Sequence, residues 1–252
     1  MSDFNRNPAV RGFGTDSAAA IDAGLRAYMI RVYNYMAIGV ALTGVVAWMT
    51  FNAAVVQGPA GNITGLTSFG QTLFGGPMMW VVMLAPLGLV FFLSFRIQKL
   101  QAGTARLLFF VYAGLVGLSL ATIFMVYTHT SVTRVFFISA ASFGALSLYG
   151  YTTQRSLSGM GSFLIMGLFG LVIASIVNIF LQSSGMSFVI SAVGVLIFAG
   201  LTAYDTQNIK EMYDGSDDAE VGGRKAVMGA LTLYLDFINL FMMLLRLLGD
   251  RR

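Results

Sequence analysis

Residues 231–248 read LTLYLDFINLFMMLLRLL, an apolar run that is long enough to cross a membrane and carries one acidic residue, Asp236. A second acidic residue, Asp205, stands in GLTAYDTQNIK at residues 200–210, and no other lies between Asp22 and Glu211. Because a carboxylate in hydrocarbon is costly, its retention usually marks an ion or proton pathway or a buried partner. These two aspartates are therefore the first candidates for a functional site.

The composition places the whole chain in a membrane. Hydrophobic residues make up 57% of the 252 residues and charged residues only 10%, whereas about a quarter of the residues in a soluble domain are charged. The mean hydropathy is +0.77. The chain has no cysteine, which excludes disulfides, thiolate metal sites and cysteine nucleophiles.

Seven apolar segments are long enough to span a bilayer as helices of about 20 residues. We predict them near residues 30–51, 77–95, 106–127, 132–151, 160–181, 187–206 and 226–248. Their apolar character is continuous and does not alternate, which disfavours a β-barrel. The sequence predicts an all-α integral membrane protein, a seven-transmembrane-helix bundle over residues 28–252, preceded by a polar N-terminal tail over residues 1–27.

Small residues recur at four-residue spacing in three of these segments. Such residues let helix backbones approach closely in lipid, where association brings little hydrophobic gain. The positions are Gly114, Gly117, Ala121, Ala140, Gly144, Gly167, Gly170 and Ala174. We expect these positions to lie at helix contacts in a compact bundle.

The distribution of Lys and Arg predicts the orientation. The N-terminal flank and the second, fourth and sixth connections hold Arg6, Arg11, Arg26, Arg31, Arg96, Lys99, Arg106, Arg155, Lys210, Arg224 and Lys225, whereas the opposite connections hold only Arg134. The positive-inside rule therefore predicts a cytoplasmic N-terminus. Seven spans leave the tail RLLGDRR (residues 246–252) on the less basic side, so either the tail tolerates that side or the last segment does not cross fully.

The polar residues of the last segment share one helical stripe. The stripe consists of Gly229, Thr232, Asp236, Asn239, Met243 and Arg246, at spacings of three and four, and Tyr234 is the main exception to it. A helix of this kind belongs in the middle of the bundle, so we predict that the last helix is central. Asp205 and Asn208 share a stripe near the end of the sixth segment.

The two aspartates are expected to meet in the half of the membrane nearer the N-terminus. Asp236 lies about ten residues, or roughly 15 Å, into a helix that enters from that side, and Asp205 lies near the same side. Asn178 of the fifth segment is a further polar candidate for their surroundings. Burial and a second carboxyl group both disfavour ionisation, so a pair in contact would share one proton.

Loss of the shared proton would leave two like charges, which must separate or recruit a cation. A proton-sensitive gate with affinity for a hard cation follows, and calcium prefers carboxylate and carbonyl oxygens. Asp205 and Asp236 are thus the predicted pH-sensing and metal-binding residues. The alternative is that each aspartate is a separate structural group bonded to neighbouring hydroxyls or amides.

Several motifs resemble the Bax inhibitor family, the transmembrane Bax-inhibitor-motif proteins, in its bacterial branch. They are AYDTQNIK at residues 203–210, LYLDFINLF at 233–241, FRIQKL at 95–100, GLSLATIFMVYT at 117–128 and SLYGYTT at 147–153. The resemblance extends from about Tyr28 to Arg246. It implies a seven-helix fold with a central last helix, located as a multi-pass protein in a bacterial inner membrane.

The resemblance also implies a function, a pH-sensitive calcium leak governed by two aspartates. These match Asp205 and Asp236, the family's arginine near the end of the last helix matches Arg246, and Arg96 is a family-like latch for the pair. Some members carry an acidic residue in the second helix, whereas residues 77–95 here have none. The expected partners are the lipid bilayer and calcium or other cations, with no tightly bound cofactor and no nucleic acid.

Two other classes of function stay open. A carboxylate pair in a membrane is also the chemistry of an intramembrane aspartyl protease, although Asp236 stands in LYLD rather than the Gly-x-Gly-Asp of that class. The other is an interaction protein that regulates a membrane protease or a stress or cell-death partner. We expect a protein that is not an enzyme. Serine–histidine catalysis is disfavoured because the only histidine, His129, is predicted to be a solvated residue in a connection and not a catalytic base.

The sixth connection, EMYDGSDDAEVGGRK at residues 211–225, is acidic. It lacks the ordered ligands of a calcium loop, which end in a glutamate at the twelfth position. A solvated loop is the favoured interpretation, and weak attraction of cations near a pore mouth is the alternative.

Overall fold

The structure is a computed structural model that describes residues 12–58 and 62–252, with side chains from residue 23 onward. The elements in chain order are α1 (Gly12–Ala54), β1 (Val55–Gln57), β2 (Ile63–Leu66), α2 (Ser68–Phe74), α3 (Met78–Arg96), a 3-10 turn (Ile97–Lys99), α4 (Ala102–Leu120), α5 (Ile123–Val126), α6 (His129–Thr152), α7 (Ser158–Leu181), α8 (Ser184–Glu211) and α9 (Ala219–Leu248).

Seven of these helical stretches are long and apolar enough to cross a membrane, which confirms the predicted fold. They are residues 23–54, 78–99, 102–126, 129–152, 158–181, 184–211 and 219–248. Each predicted segment lies within or closely overlaps one of them, and three of the spans (residues 23–54, 129–152 and 184–211) extend further at both ends. Because α1 begins at Gly12, residues 12–27 of the predicted tail are helical, and residues 1–11 lie outside the described part.

The long uncharged first connection forms a small antiparallel hairpin. Strands β1 and β2 pair Val55 with Leu66 and Val56 with Gly65, and a register irregularity follows at Gln57. The short helix α2 comes next, capped by Thr67, whose hydroxyl accepts from the backbone N–H of Gly70. The face of the protein that carries this hairpin is called the C-terminal face below, and the opposite one the N-terminal face.

Helix α9 lies at the centre of the bundle. It contacts α1 and α4 on one side and α6 and α8 on the other. Helix α3 packs outside α4, and α7 packs outside α8, so α9 separates two groups of three helices. Among the seven described spans, α9 has the largest buried share and α7 the smallest.

Glycines permit the closest approaches between helices. A Cβ atom at Gly117 of α4 would lie 2.7 Å from the Thr43 carbonyl oxygen of α1, and one at Gly150 of α6 would overlap the Ala203 carbonyl oxygen of α8. Of the positions predicted from spacing, Gly167 also meets a neighbour, whereas Gly114, Gly144 and Gly170 have nothing within 4 Å. The four-residue spacing therefore identified only part of the contact surface.

Two sets of buried hydroxyl groups join the helices. The Thr43 hydroxyl lies 2.6 Å from the Tyr234 hydroxyl and 2.8 Å from the Ala113 carbonyl oxygen, which ties α1, α4 and α9 together. The Ser147 hydroxyl lies 2.6 Å from the Tyr33 hydroxyl and 2.9 Å from the Thr206 hydroxyl, which ties α6 to α1 and α8. Tyr234, the polar exception on α9, thus faces α1 and α4.

The C-terminal tail lies against the third connection, so α9 crosses the bundle fully. The Thr128 N–H donates to the Asp250 carbonyl oxygen (3.1 Å), and the Arg252 N–H donates to the Val126 carbonyl oxygen (2.9 Å). Arg134 forms an ion pair with Asp250 at 2.9 Å. These contacts hold the basic tail on the C-terminal face and resolve the alternative that the sequence left open.

Two glycines of α6 provide a matched test of this packing. We expect Gly150→Ala to destabilise the protein by about 1–3 kcal/mol, because its Cβ has no room beside Ala203. Gly144→Ala, on the same helix with open space around it, should be neutral or slightly stabilising. Thermal unfolding of both variants in one detergent measures the difference, and equal midpoints would contradict the assigned α6–α8 contact.

Candidate functional site

Close contact between α8 and α9 brings Asp205 and Asp236 together. A Cβ at Gly229 would lie 2.9 Å from the Ile209 side chain, towards the N-terminal face. A Cβ at Gly194 would lie 2.9 Å from the Met243 side chain, towards the C-terminal face. The two helices therefore approach closely on both sides of the acidic pair, at positions where one of the helices carries a glycine.

The carboxyl groups of Asp205 and Asp236 lie close enough to interact directly. Asp236 is only 5% exposed, and no donor of the described residues reaches its Oδ2 atom. Asp205 is half-buried, and the Asn208 side chain, one turn further along α8, lies near its carboxyl group. Since an ionised carboxylate has no donor, a hydrogen bond between the two acids requires one proton. The predicted contact of the pair is present in the structure.

The pair opens onto a cavity of about 640 Å³ between α7 and α9, with α8 as its floor. Most of its lining is apolar, and the polar side chains in it are Ser175, Asp205, Thr232, Asp236 and Asn239. The sequence predicts Thr232 on the stripe of α9 but not in the site, and it does not predict Ser175 there. The available signal for Ser175 was a hydroxyl in the apolar second half of α7, away from Ser158 and Ser162 at its start.

The polar groups that line the cavity are mainly oxygen atoms, from two carboxyl groups, two hydroxyls and one amide. The Asn239 amide nitrogen donates one N–H to the Leu235 carbonyl oxygen of its own helix (2.8 Å), so its side-chain carbonyl oxygen remains available to the cavity beside the second N–H. Among the described residues there is no group of three or more His, Cys, Asp or Glu side chains that could hold a metal. A hard cation such as calcium takes six to eight oxygen ligands, so one bound here would retain part of its hydration shell.

A set of hydrogen bonds close to Asp205 holds the N-terminal end of α7 onto α8. The Gln207 side chain accepts from the Leu157 N–H (2.7 Å) and donates to the Arg155 carbonyl oxygen (2.9 Å). The Lys210 amino group donates to the Tyr151 carbonyl oxygen (2.9 Å). Nothing in the sequence distinguished Gln207 as a clamp, because its partners are backbone atoms of a distant connection.

Three predicted supporting residues lie away from the pair. Asn178 is at the C-terminal face, where its amide donates to the Ser187 hydroxyl and its oxygen accepts from the Ser183 N–H, so the prediction that it surrounds the pair is wrong. Arg246 lines a separate polar pocket at that face, as expected from its distance along α9.

The proposed latch residue Arg96 also lies elsewhere. It ends α3, a helix that packs on α4 rather than on α8 or α9, and its side chain is exposed. It contributes nothing to the lining of the cavity. The structure therefore does not bring Arg96 to the pair as the resemblance implied.

Acidic residues of the sixth connection have structural partners. Asp217 pairs with Lys225, Asp218 caps α9 by accepting from the Val221 N–H (2.7 Å), and Glu220 accepts from the Ala102 N–H (2.8 Å). The backbone N–H and hydroxyl of Ser216 both donate to Asp214, which lowers the pKa of that carboxyl group. These contacts agree with a structured, exposed connection and not with a calcium loop.

Comparison with known proteins places this architecture in a family. The sequence profile of the family described as "Inhibitor of apoptosis-promoting Bax1" matches residues 25–252. The chain is 45% identical to the inner membrane protein YbhL of Escherichia coli over 241 residues, which cover 94% of the chain and 97% of that protein.

Other relatives come from distant bacteria. The chain is 50% identical over 240 residues to an uncharacterised protein of Rickettsia prowazekii, covering 94% of the chain and 95% of the relative. It is 37% identical over 228 residues to a membrane protein of Streptococcus pyogenes, covering 90% and 94%. The chain belongs to the Bax inhibitor family of multi-pass membrane proteins.

Proposed function

We propose that this protein is a pH-sensitive leak pathway for cations, with calcium as the candidate ion, in which Asp205 and Asp236 are the proton-sharing switch. One observation carries the proposal. Asp236 lies on a membrane-spanning helix and is almost completely buried, a second carboxyl group lies beside it, and no donor of the described residues reaches its Oδ2 atom. A group in that state is stable only with a proton or a cation beside it.

The cavity supplies no fixed positive charge that could replace that proton or cation. Its lining contains no Lys or Arg, and the other polar groups are two hydroxyls and the Asn239 amide. When the shared proton leaves, the two like charges repel each other in a poor dielectric. They must then move apart or bind a mobile cation, and both outcomes link proton binding to cation binding.

Repulsion within the pair acts on the contact between α8 and α9. Asp205 is two residues from Gln207, which ties α8 to the connection before α7, and five from Lys210, which ties α8 to the end of α6. A displacement of α8 at Asp205 is therefore transmitted directly to these hydrogen bonds, which lie towards the N-terminal face. This coupling is the proposed link between the protonation state of the pair and the opening of the pathway.

We also propose that the N-terminal face is cytoplasmic. The connections on that face carry most of the Lys and Arg residues, and the Escherichia coli relative is named as an inner membrane protein. A regulatory role towards a membrane protease or another partner is the competing function, and no contact within the described residues favours it over the leak.

Removal of either carboxyl group should abolish the response of ion flux to pH. In liposomes loaded with a calcium indicator, we expect wild-type flux to change by up to about tenfold per pH unit, the limit for one titrating proton. Asp205→Asn and Asp236→Asn should each give flux that no longer varies over the same pH range.

Asp214→Asn is the matched control, because Asp214 is an exposed aspartate of the sixth connection. Its flux should follow the wild-type pH dependence. If both pair variants retain the wild-type response, the switch is refuted. Loss of cleavage of a membrane substrate in either variant would instead indicate an aspartyl protease.

Cations should compete with the shared proton at equilibrium. Since carboxylate ligands bind a metal only when deprotonated, we expect calcium binding to strengthen as the pH rises, by at most about tenfold per unit. Calorimetric titration of the purified protein in nanodiscs at several pH values measures this, and Asp236→Asn should remove most of the binding. Affinity that is independent of pH would contradict the assignment of the pair as the cation ligand.

A further inference from the structure

Two cavities on the same side of α9 adjoin each other along the bundle. The first is the cavity of the acidic pair, and the second is a pocket of about 550 Å³ at the C-terminal face, lined by polar residues that include Ser184, Ser191 and Arg246. Ile179 of α7 lines both of them. The stripe of α9 passes from the first cavity at Asp236 and Asn239 to the second at Arg246.

Met243 lines the cavity of the acidic pair and lies on the stripe of α9 between Asn239 and Arg246, the residue of this helix that lines the polar pocket. Its Cγ and Sδ atoms lie 2.9 Å from the position of a Cβ at Gly194 of α8, and the Leu171 side chain of α7 lies 3.4 Å from the same position. The thioether thus lies against the bare backbone of α8, between the carboxyl pair and the polar pocket. A methionine side chain is unbranched and flexible, so it can change rotamer without displacing a helix.

Towards the N-terminal face, beyond the residues that line the cavity, less adaptable contacts hold α7 to α8. The Gln207 clamp holds the backbone at Arg155 and Leu157, and the Tyr204 ring packs directly onto Gly161 at the start of α7. Opening the cavity towards that face requires hydrogen bonds to break and α7 to move. Opening the Met243 end requires only a side-chain rotation.

We infer that water and cations reach Asp205 and Asp236 from the C-terminal face, through the polar pocket, and that Met243 is the constriction on this route. The inference takes the pair as the functional site of the proposed pathway, but it concerns accessibility and not conduction. On this route, the carboxyl pair exchanges protons and cations first with the compartment at the C-terminal face.

Cysteine accessibility tests the route, because the natural chain contains no cysteine. Asn239→Cys places one thiol beside the pair, while Ser184→Cys and Ser156→Cys place exposed thiols at the C-terminal and N-terminal faces. Each full-length variant is prepared in membrane vesicles of both orientations and treated with a membrane-impermeant thiol reagent. We expect the cysteine at residue 239 to react faster when the reagent is on the side that labels the cysteine at residue 184.

Replacement of the constriction should accelerate that reaction. We expect Met243→Ala to raise the labelling rate at residue 239 by about tenfold, with no change at residue 184. Met242→Ala is the matched control, since Met242 packs against a separate cluster around Phe241 and Leu245. It should leave both rates unchanged.

Two results would overturn the inference. One is that the cysteine of Asn239→Cys, with Met243 unchanged, reacts faster when the reagent is on the side that labels the cysteine of Ser156→Cys. The other is a labelling rate at residue 239 that is the same with Met243 and with alanine. Neither result depends on ion flux, so a failed route remains distinguishable from a failed switch.

Discussion

A carboxyl group enclosed in a membrane has no bulk water to solvate it, and this constraint at Asp236 organises the centre of the protein. Its partner is a second carboxyl group, Asp205, from the neighbouring helix. The contact requires α8 and α9 to lie close together, which Gly229 and Gly194 permit on either side of it. The position of the pair is therefore determined by backbone packing and not by a salt bridge.

The rest of the bundle follows from what holds helices together in lipid. Lipid tails are as apolar as leucine, so contacts depend on close packing and on hydrogen bonds between helices. The central α9 makes both kinds of contact, through Tyr234 with Thr43 and through the glycine contacts with α8. In the described part of the chain, helix α7 makes neither glycine contacts nor hydrogen bonds with α9, and it packs mainly on α8. The cavity beside the pair exists because α7 is attached on only one side.

Hydropathy was sufficient to predict the seven spans, since each helix must match the thickness of the membrane. The stripe on α9 and the two isolated acids were sufficient to predict the pair, because a buried polar residue must face a partner. Asn178 was wrongly assigned to the pair because its depth in the membrane was not considered. It lies three residues before the end of α7, at the C-terminal face, whereas the pair lies towards the N-terminal face. The contacts of Gln207 and Gly150 were not predicted, and Met243 was predicted only as part of the stripe, because all three meet the backbone of distant parts of the chain, which periodicity within one helix does not reveal.

The contrast between the two kinds of aspartate gives the pair its chemical meaning. Asp250 at the C-terminal face and Asp217 in the sixth connection each have a fixed basic partner, Arg134 and Lys225. A fixed partner keeps a carboxylate charged and removes its need for any mobile ion. Among the described residues that line the cavity, Asp205 and Asp236 have only each other and neutral groups as neighbours, so in the proposed function their charge is balanced by mobile species. A proton and a dissolved cation are the two such species, and the proposed competition between them rests on a membrane site in which the described residues supply two acids and no base.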